Sequence, residues 1–128
     1  MSTMRKVSGL LALLAFAPFA NAQTPALTGQ DVGAVQAAGS FTVSGGTFTV
    51  RGSGSDVWYS NDDFFFAYTT LNGDGVITAR VASLTNTNAW TKAGVMMRET
   101  LNANARFGFA LVTPGNGSTF QYRTTAGG

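Results

Sequence analysis

The chain has no cysteine and no histidine. Without cysteine there is no disulfide, no thiolate metal ligand and no cysteine for lipoprotein acylation. Without histidine as well, Ser-His-Asp and Cys-His nucleophilic sites and the usual zinc sites are excluded. Charge is scarce too. Asp, Glu, Lys and Arg make up 11% of the 128 residues, and Glu99 is the single glutamate. So few charges cannot lace long helices with ion pairs. The longest apolar run, residues 7–20, is shorter than the ~20 residues of a comfortable membrane span. No internal repeat, low-complexity linker or second domain is visible.

The formal charge of +2 suggests a basic protein until the charges are placed. Arg5 and Lys6 precede the apolar run, and Ala20-Asn21-Ala22 follows it. A positive head, a short apolar middle and a small-x-small end are the parts of a secretory signal peptide, here residues 1–22. Cleavage after Ala22 would leave 106 residues and remove two cations and no anion, so six basic and six acidic groups remain. Binding to nucleic acid by phosphate neutralisation is poorly supported in such a chain. The expected location is secreted, extracellular or periplasmic, with no membrane attachment after cleavage.

What remains is rich in Val, Ile, Phe, Tyr, Trp and Thr, with glycines between apolar runs. These residues suit pleated, half-buried surfaces, and the class read from them is all-β. Residues 23–39 form a loose lead, with a short strand expected at Asp31–Val35. Phe41–Val43 and Phe48–Val50 alternate around Gly45-Gly46, a hairpin signal because glycine tolerates positive φ. Asp56–Tyr59 is short and aromatic. Phe64–Tyr68 reads as a strand buried on both faces. Leu71–Gly75 is a turn, and Val76–Leu84 a long strand with Ile77, Ala79 and Val81 on one face. Further strands are expected within Ala89–Glu99, at Arg106–Val112 and at Ser118–Thr124. Pro114–Gly117 is the last hairpin turn. Frequent turns between short strands point to a sandwich.

From Asp56 onward the chain resembles a module common in secreted, multidomain bacterial proteins. That module has the concanavalin A-like lectin/glucanase (laminin-G-like) β-sandwich fold. The likeness is carried by Ser55-Asp-Val-Trp58, Asp63-Phe64, Leu71-Asn-Gly-Asp-Gly-Val-Ile-Thr-Ala-Arg-Val81, Ala89-Trp-Thr-Lys-Ala-Gly-Val-Met-Met-Arg-Glu99 and Val112-Thr-Pro-Gly-Asn-Gly117. Lys92–Glu99 is its most specific part. The resemblance implies an antiparallel jelly-roll sandwich over residues 40–128. It also implies further strands after Gly128, so the expectation is the N-terminal part of a longer module with open strand edges.

Glycoside hydrolysis needs two carboxylates, and the clustered Glu-x-Asp-x-x-Glu strand of lectin-fold glycosidases is absent. Glu99 reads as a structural ion-pair partner, and no catalytic residue is expected. Asn72–Ile77 looks like the middle of a calcium loop. Thr70 and Val81 stand where two ligands would be needed, so an Asp-Gly turn is the better reading. Asp62-Asp63 is a second calcium candidate, because adjacent carboxylates repel each other and often signal a cation; the other reading is that, beside Asn61, they simply begin a strand. Trp58, Tyr59, Trp90, Phe120 and Tyr122 are possible sugar platforms, since the C–H faces of sugars pack on aromatic rings. Two groups pair an aromatic with amides that can bond hydroxyls: Trp58, Tyr59 and Asn61, and Asn86, Asn88 and Trp90. Lys92, Gly94, Met96 and Arg98 share a strand face, read as solvated or as a groove for an anionic glycan. The expected function is a non-catalytic module for polysaccharide or cell-surface glycan. The alternative is a structural, adhesive or self-associating module pairing through open strand edges.

Overall fold

A computed structural model describes residues 24–128; the signal peptide expected at residues 1–22 lies outside the described residues. Seven strands and no helix occur in them: β1 Thr28–Val32, β2 Ser40–Ser44, β3 Thr47–Arg51, β4 Phe64–Tyr68, β5 Ala93–Arg98, β6 Phe107–Thr113 and β7 Gly117–Arg123. Every pairing is antiparallel. The sheets are small, with orders β1-β4, β2-β3 and β5-β6-β7, and none closes on itself. The all-β expectation therefore holds.

Local chemistry explains most of these elements. β2 and β3 join across Gly45 and Gly46, at φ 54° and 77°, the positive pair that a two-residue hairpin demands. Phe64–Tyr68 is a strand with every residue half-buried. Its Phe65 ring packs 6.4 Å from that of Phe41, while Phe64 and Phe66 turn the other way onto the core. That core is Val57, Met96, Phe107, Phe109 and Leu111.

Three expectations change. The first strand is Thr28–Val32 rather than Asp31–Val35, and it pairs with β4, so the lead is partly built in. Gly33, at φ 75°, ends it, and the Asp31 carboxylate accepts the Gly39 N–H at 3.0 Å. Val76–Leu84 is not a strand, and Val76 is 92% exposed. Its β-branched residues favour extension, but no neighbouring strand takes up its backbone, and a strand is defined by its neighbours.

The third change concerns β5. Register places Gly94, Met96 and Arg98 beside Leu111, Phe109 and Phe107 of β6, on the core face. The face read as solvated is thus the buried one. Ala93, Val95 and Met97 point the opposite way.

Candidate functional site

The loop Asp56–Asp63 carries five of the expected site residues, Trp58, Tyr59, Asn61, Asp62 and Asp63, and two arginines position it. Asp62 is fully buried. Its Oδ2 accepts Arg98 Nη1 at 3.0 Å and Arg123 Nη1 at 2.8 Å, and its Oδ1 accepts Arg123 Nη2 at 2.7 Å. A buried carboxylate needs such compensation, because desolvating an unpaired charge costs several kcal/mol, on the order of 20 in the dry limit. Arg123 also donates to the Tyr59 carbonyl, and the Asp62 N–H donates to the Ala103 carbonyl at 2.9 Å. Both guanidinium groups lie against the Phe107 ring, at 5.8 Å and 4.9 Å from its centroid. The loop is therefore pinned from below by β5 and β7.

Asp63 turns the other way. Its two oxygens accept the Ala34 N–H at 2.8 Å and the Ser55 hydroxyl. The Ser55 bond, then the Ala34 bond, hold its carboxyl below the usual value of 3.8. Gly33 and Gly54 crowd the Asp62-Asp63 backbone so closely that a Cβ on either would overlap a carbonyl oxygen. The two carboxylates are thus held by protein donors, each in its own surroundings. A calcium ion shared between them would have to displace arginine from Asp62. Among the described residues, no group of three or more acidic, His or Cys side chains is placed to hold a metal.

Beside this loop runs a cleft of about 390 Å³. Val57 and Trp58 form one wall, β7 from Thr119 to Tyr122 forms the other, and Phe107 lies at the base. β7 is an edge strand, paired only with β6. Trp58 is 61% exposed, so it is not core packing. Lys92 steadies it: Nζ lies 5.4 Å from the ring centroid, 2.6 Å from Asp56 Oδ1 and 3.1 Å from the Val57 carbonyl. Gln121 Oε1 is buried in the described structure and has no hydrogen-bond partner. An unsatisfied buried acceptor costs about 1–3 kcal/mol, so it is a place where a donor would gain.

The other expected residues scatter. Tyr59 is 72% exposed and Asn61 is exposed, both on the pinned loop but outside the cleft lining. Asn88 spends its amide oxygen on the Trp90 N–H at 2.8 Å, closing a local turn. Trp90 is 59% exposed, and the neighbouring Ala89 carbonyl accepts from Gly115 N and Asn116 Nδ2. Trp90 and Asn88 therefore sit by the β6–β7 turn, away from the Trp58 cleft lining, and Asn86 lies exposed just before them. Glu99 pairs with Arg106, with Nε 2.8 Å from Oε2, and this bond lowers its pKa from 4.5. The expected ion-pair role of Glu99 is what the side chain does.

Two features escaped the sequence. The Arg98–Asp62–Arg123 cluster joins residues 36 and 61 positions apart, which no local spacing reveals. Gln121 stands between Phe120 and Tyr122 as the polar member of an alternating strand and carries no signal of its own. No family model matches the chain, and neither a curated protein nor a solved structure matches it.

Proposed function

We propose that this chain is a secreted, non-catalytic binding module for carbohydrate or another neutral cell-surface polymer, built as part of a concanavalin A-like β-sandwich. The observation that carries the reading is the cleft between Trp58 and β7, with Thr119 and Gln121 among the residues that line it. A pyranose offers both matching surfaces. Its C–H face packs on the indole, and its hydroxyls meet the polar groups of the β7 wall. The cleft is within the size range of small-ligand sites and combines apolar walls with few polar groups. The pinned Asp56–Asp63 loop holds Trp58 in place before ligand arrives, which limits the ordering cost of binding.

The test is affinity electrophoresis on a panel of neutral and acidic polysaccharides, with calcium and with chelator. Retention on at least one neutral polymer is expected, reduced tenfold or more by Trp58→Ala and by Gln121→Leu. Trp90→Ala should leave retention unchanged, because Trp90 does not line this cleft. No retention on any polymer in either condition would sink the proposal. Calcium dependence would return Asp62 and Asp63 to consideration as ligands.

One observation favours a second reading, a self-associating module pairing through open edges. Val76–Leu84 carries Ile77 at 51% and Val81 at 38% exposure, without a strand partner among the described residues. Such a segment is suited to strand addition.

A further inference from the structure

Asn-Gly is a dipeptide open to reaction of the chain with itself, because glycine puts no side chain in the way of its own nitrogen. It occurs twice, at Asn72-Gly73 and at Asn116-Gly117. Both asparagines are exposed, and both glycines have positive φ, 80° and 71°. What differs is how each asparagine is held. Asn72 stands between β4 and β5, where residues 69–83 are all exposed and none is in a strand. A Cβ on Gly73 would meet nothing within 4 Å. Asn116 is tied down. Its Nδ2 donates to the Ala89 carbonyl at 2.9 Å. Its N–H donates to Thr113 Oγ1 at 2.9 Å, and that hydroxyl donates to the Gly117 carbonyl at 3.0 Å. Gly117 itself stands opposite Thr113 in the β6–β7 ladder.

We propose that Asn72-Gly73 is a self-modifying site, where Asn72 deamidates through a succinimide, and that the fold protects the same dipeptide at Asn116-Gly117. In the first step the Gly73 nitrogen attacks Asn72 Cγ. The N–Cγ bond forms, the Cγ–Nδ2 bond breaks, and ammonia leaves with the proton of the Gly73 N–H. Water then opens the ring at either carbonyl, which gives aspartate or isoaspartate.

Closure requires the glycine nitrogen to come within about 3–3.5 Å of Cγ in the attacking orientation. At Asn72 the backbone can turn into that geometry in open solvent. At Asn116 the same turn would break the bonds to Ala89 and Thr113 and pull Gly117 out of register, which slows closure about tenfold or more. The reaction changes the surface. The described residues hold six basic and six acidic groups, and the product adds a carboxylate near Asp74. Isoaspartate also adds a carbon to the main chain just ahead of Val76–Leu84.

Peptide mapping of the purified chain, sampled over time at mildly alkaline pH, tests it. Tryptic cleavage separates the sites into Gly52–Arg80 and Phe107–Arg123, and fragmentation spectra place the mass gain of the amide-to-acid change. In the folded chain Asn72 is expected to convert about tenfold faster than Asn116, or more. In guanidinium chloride the two should convert at similar rates, because the dipeptides are the same. Thr113→Val removes both hydroxyl bonds of the β6–β7 turn and should speed conversion at Asn116 without moving Asn72; circular dichroism checks that the variant stays folded. Equal rates in the folded chain, faster conversion at Asn116, or an intact Asn72 in the folded chain beside conversion of both sites in denaturant would each overturn the proposal. An Asn116 rate unmoved by Thr113→Val would overturn the protection assigned to that turn.

Discussion

At the residue scale, Asp62 is the most constrained side chain in the described structure. It is fully buried between Arg98 and Arg123, whose own side chains are 1% and 3% exposed. Removing one member of such a cluster is far worse than never having built it, because the remaining charges stay buried without a partner. Asp62→Asn should therefore cost about 3–5 kcal/mol in urea unfolding, a large part of a small domain's total stability. A loss under 1 kcal/mol would mean the guanidinium groups reach water in solution. Asp63 supports a milder prediction, with a definite sign. Its folded pKa lies below 3.8, so its stabilising contribution is present above that value and fades as pH falls through the folded pKa. Ser55→Ala removes the main cause of the shift. The variant should be less stable than the parent at pH 7, and the gap should close at pH well below 3.8, as thermal melts across pH would report.

At the scale of elements, β4 and Val76–Leu84 look alike in sequence and end differently. Both are apolar and rich in strand-forming residues. β4 has β1 at one side, paired from Val32↔Phe64 to Thr28↔Tyr68, and offers one face to the core and the other to Phe41. Val76–Leu84 has no pairing and is exposed along almost its whole length. Its amides should exchange as fast as those of an open loop. Trypsin supplies a simpler measurement. Arg80 lies in this segment, whereas Arg98 and Arg123 are tied to Asp62. Limited digestion should cut first after Arg80 among the described residues, and first cleavage at Arg51 or Arg106 would contradict this placement. The same contrast shows how much was legible. The β2–β3 hairpin could be read because Gly45-Gly46 between alternating pairs is local information. The fate of Val76–Leu84 could not, because it depends on what lies beside it.

At the scale of the molecule, the assignment of faces on β5-β6-β7 governs both stability and surface. Phe109 lies on the core face at 7% exposure, and Tyr122 on the outer face at 67%. Phe109→Ala should cost about 3–5 kcal/mol, as large-to-small core changes do. Tyr122→Ser should cost under about 1 kcal/mol, because the side chain is exposed. Equal costs in denaturant titration would show that the two faces are not distinguished as described. The core cluster is small, five buried side chains with Phe64 and Phe66 against it. A domain with so little interior is marginal, so the Asp62 cluster weighs heavily in it.

Composition and local spacing were enough to determine an all-β chain, the hairpin at Gly45-Gly46, the β4 strand, the turn at Pro114–Gly117 and the lack of histidine or cysteine chemistry. These depend on residue type and on neighbours a few positions away. Only the tertiary structure decided which face of β5 is buried. Ala93, Val95 and Met97 look like the inward set, yet Met96 and Arg98 face the core, because Arg98 is needed opposite Asp62, 36 residues away. It also separated Trp58 from Trp90 and set Gln121 in the wall of the Trp58 cleft. Pairing of distant charges and sharing of distant walls are properties of the folded chain, and no window along the sequence contains them.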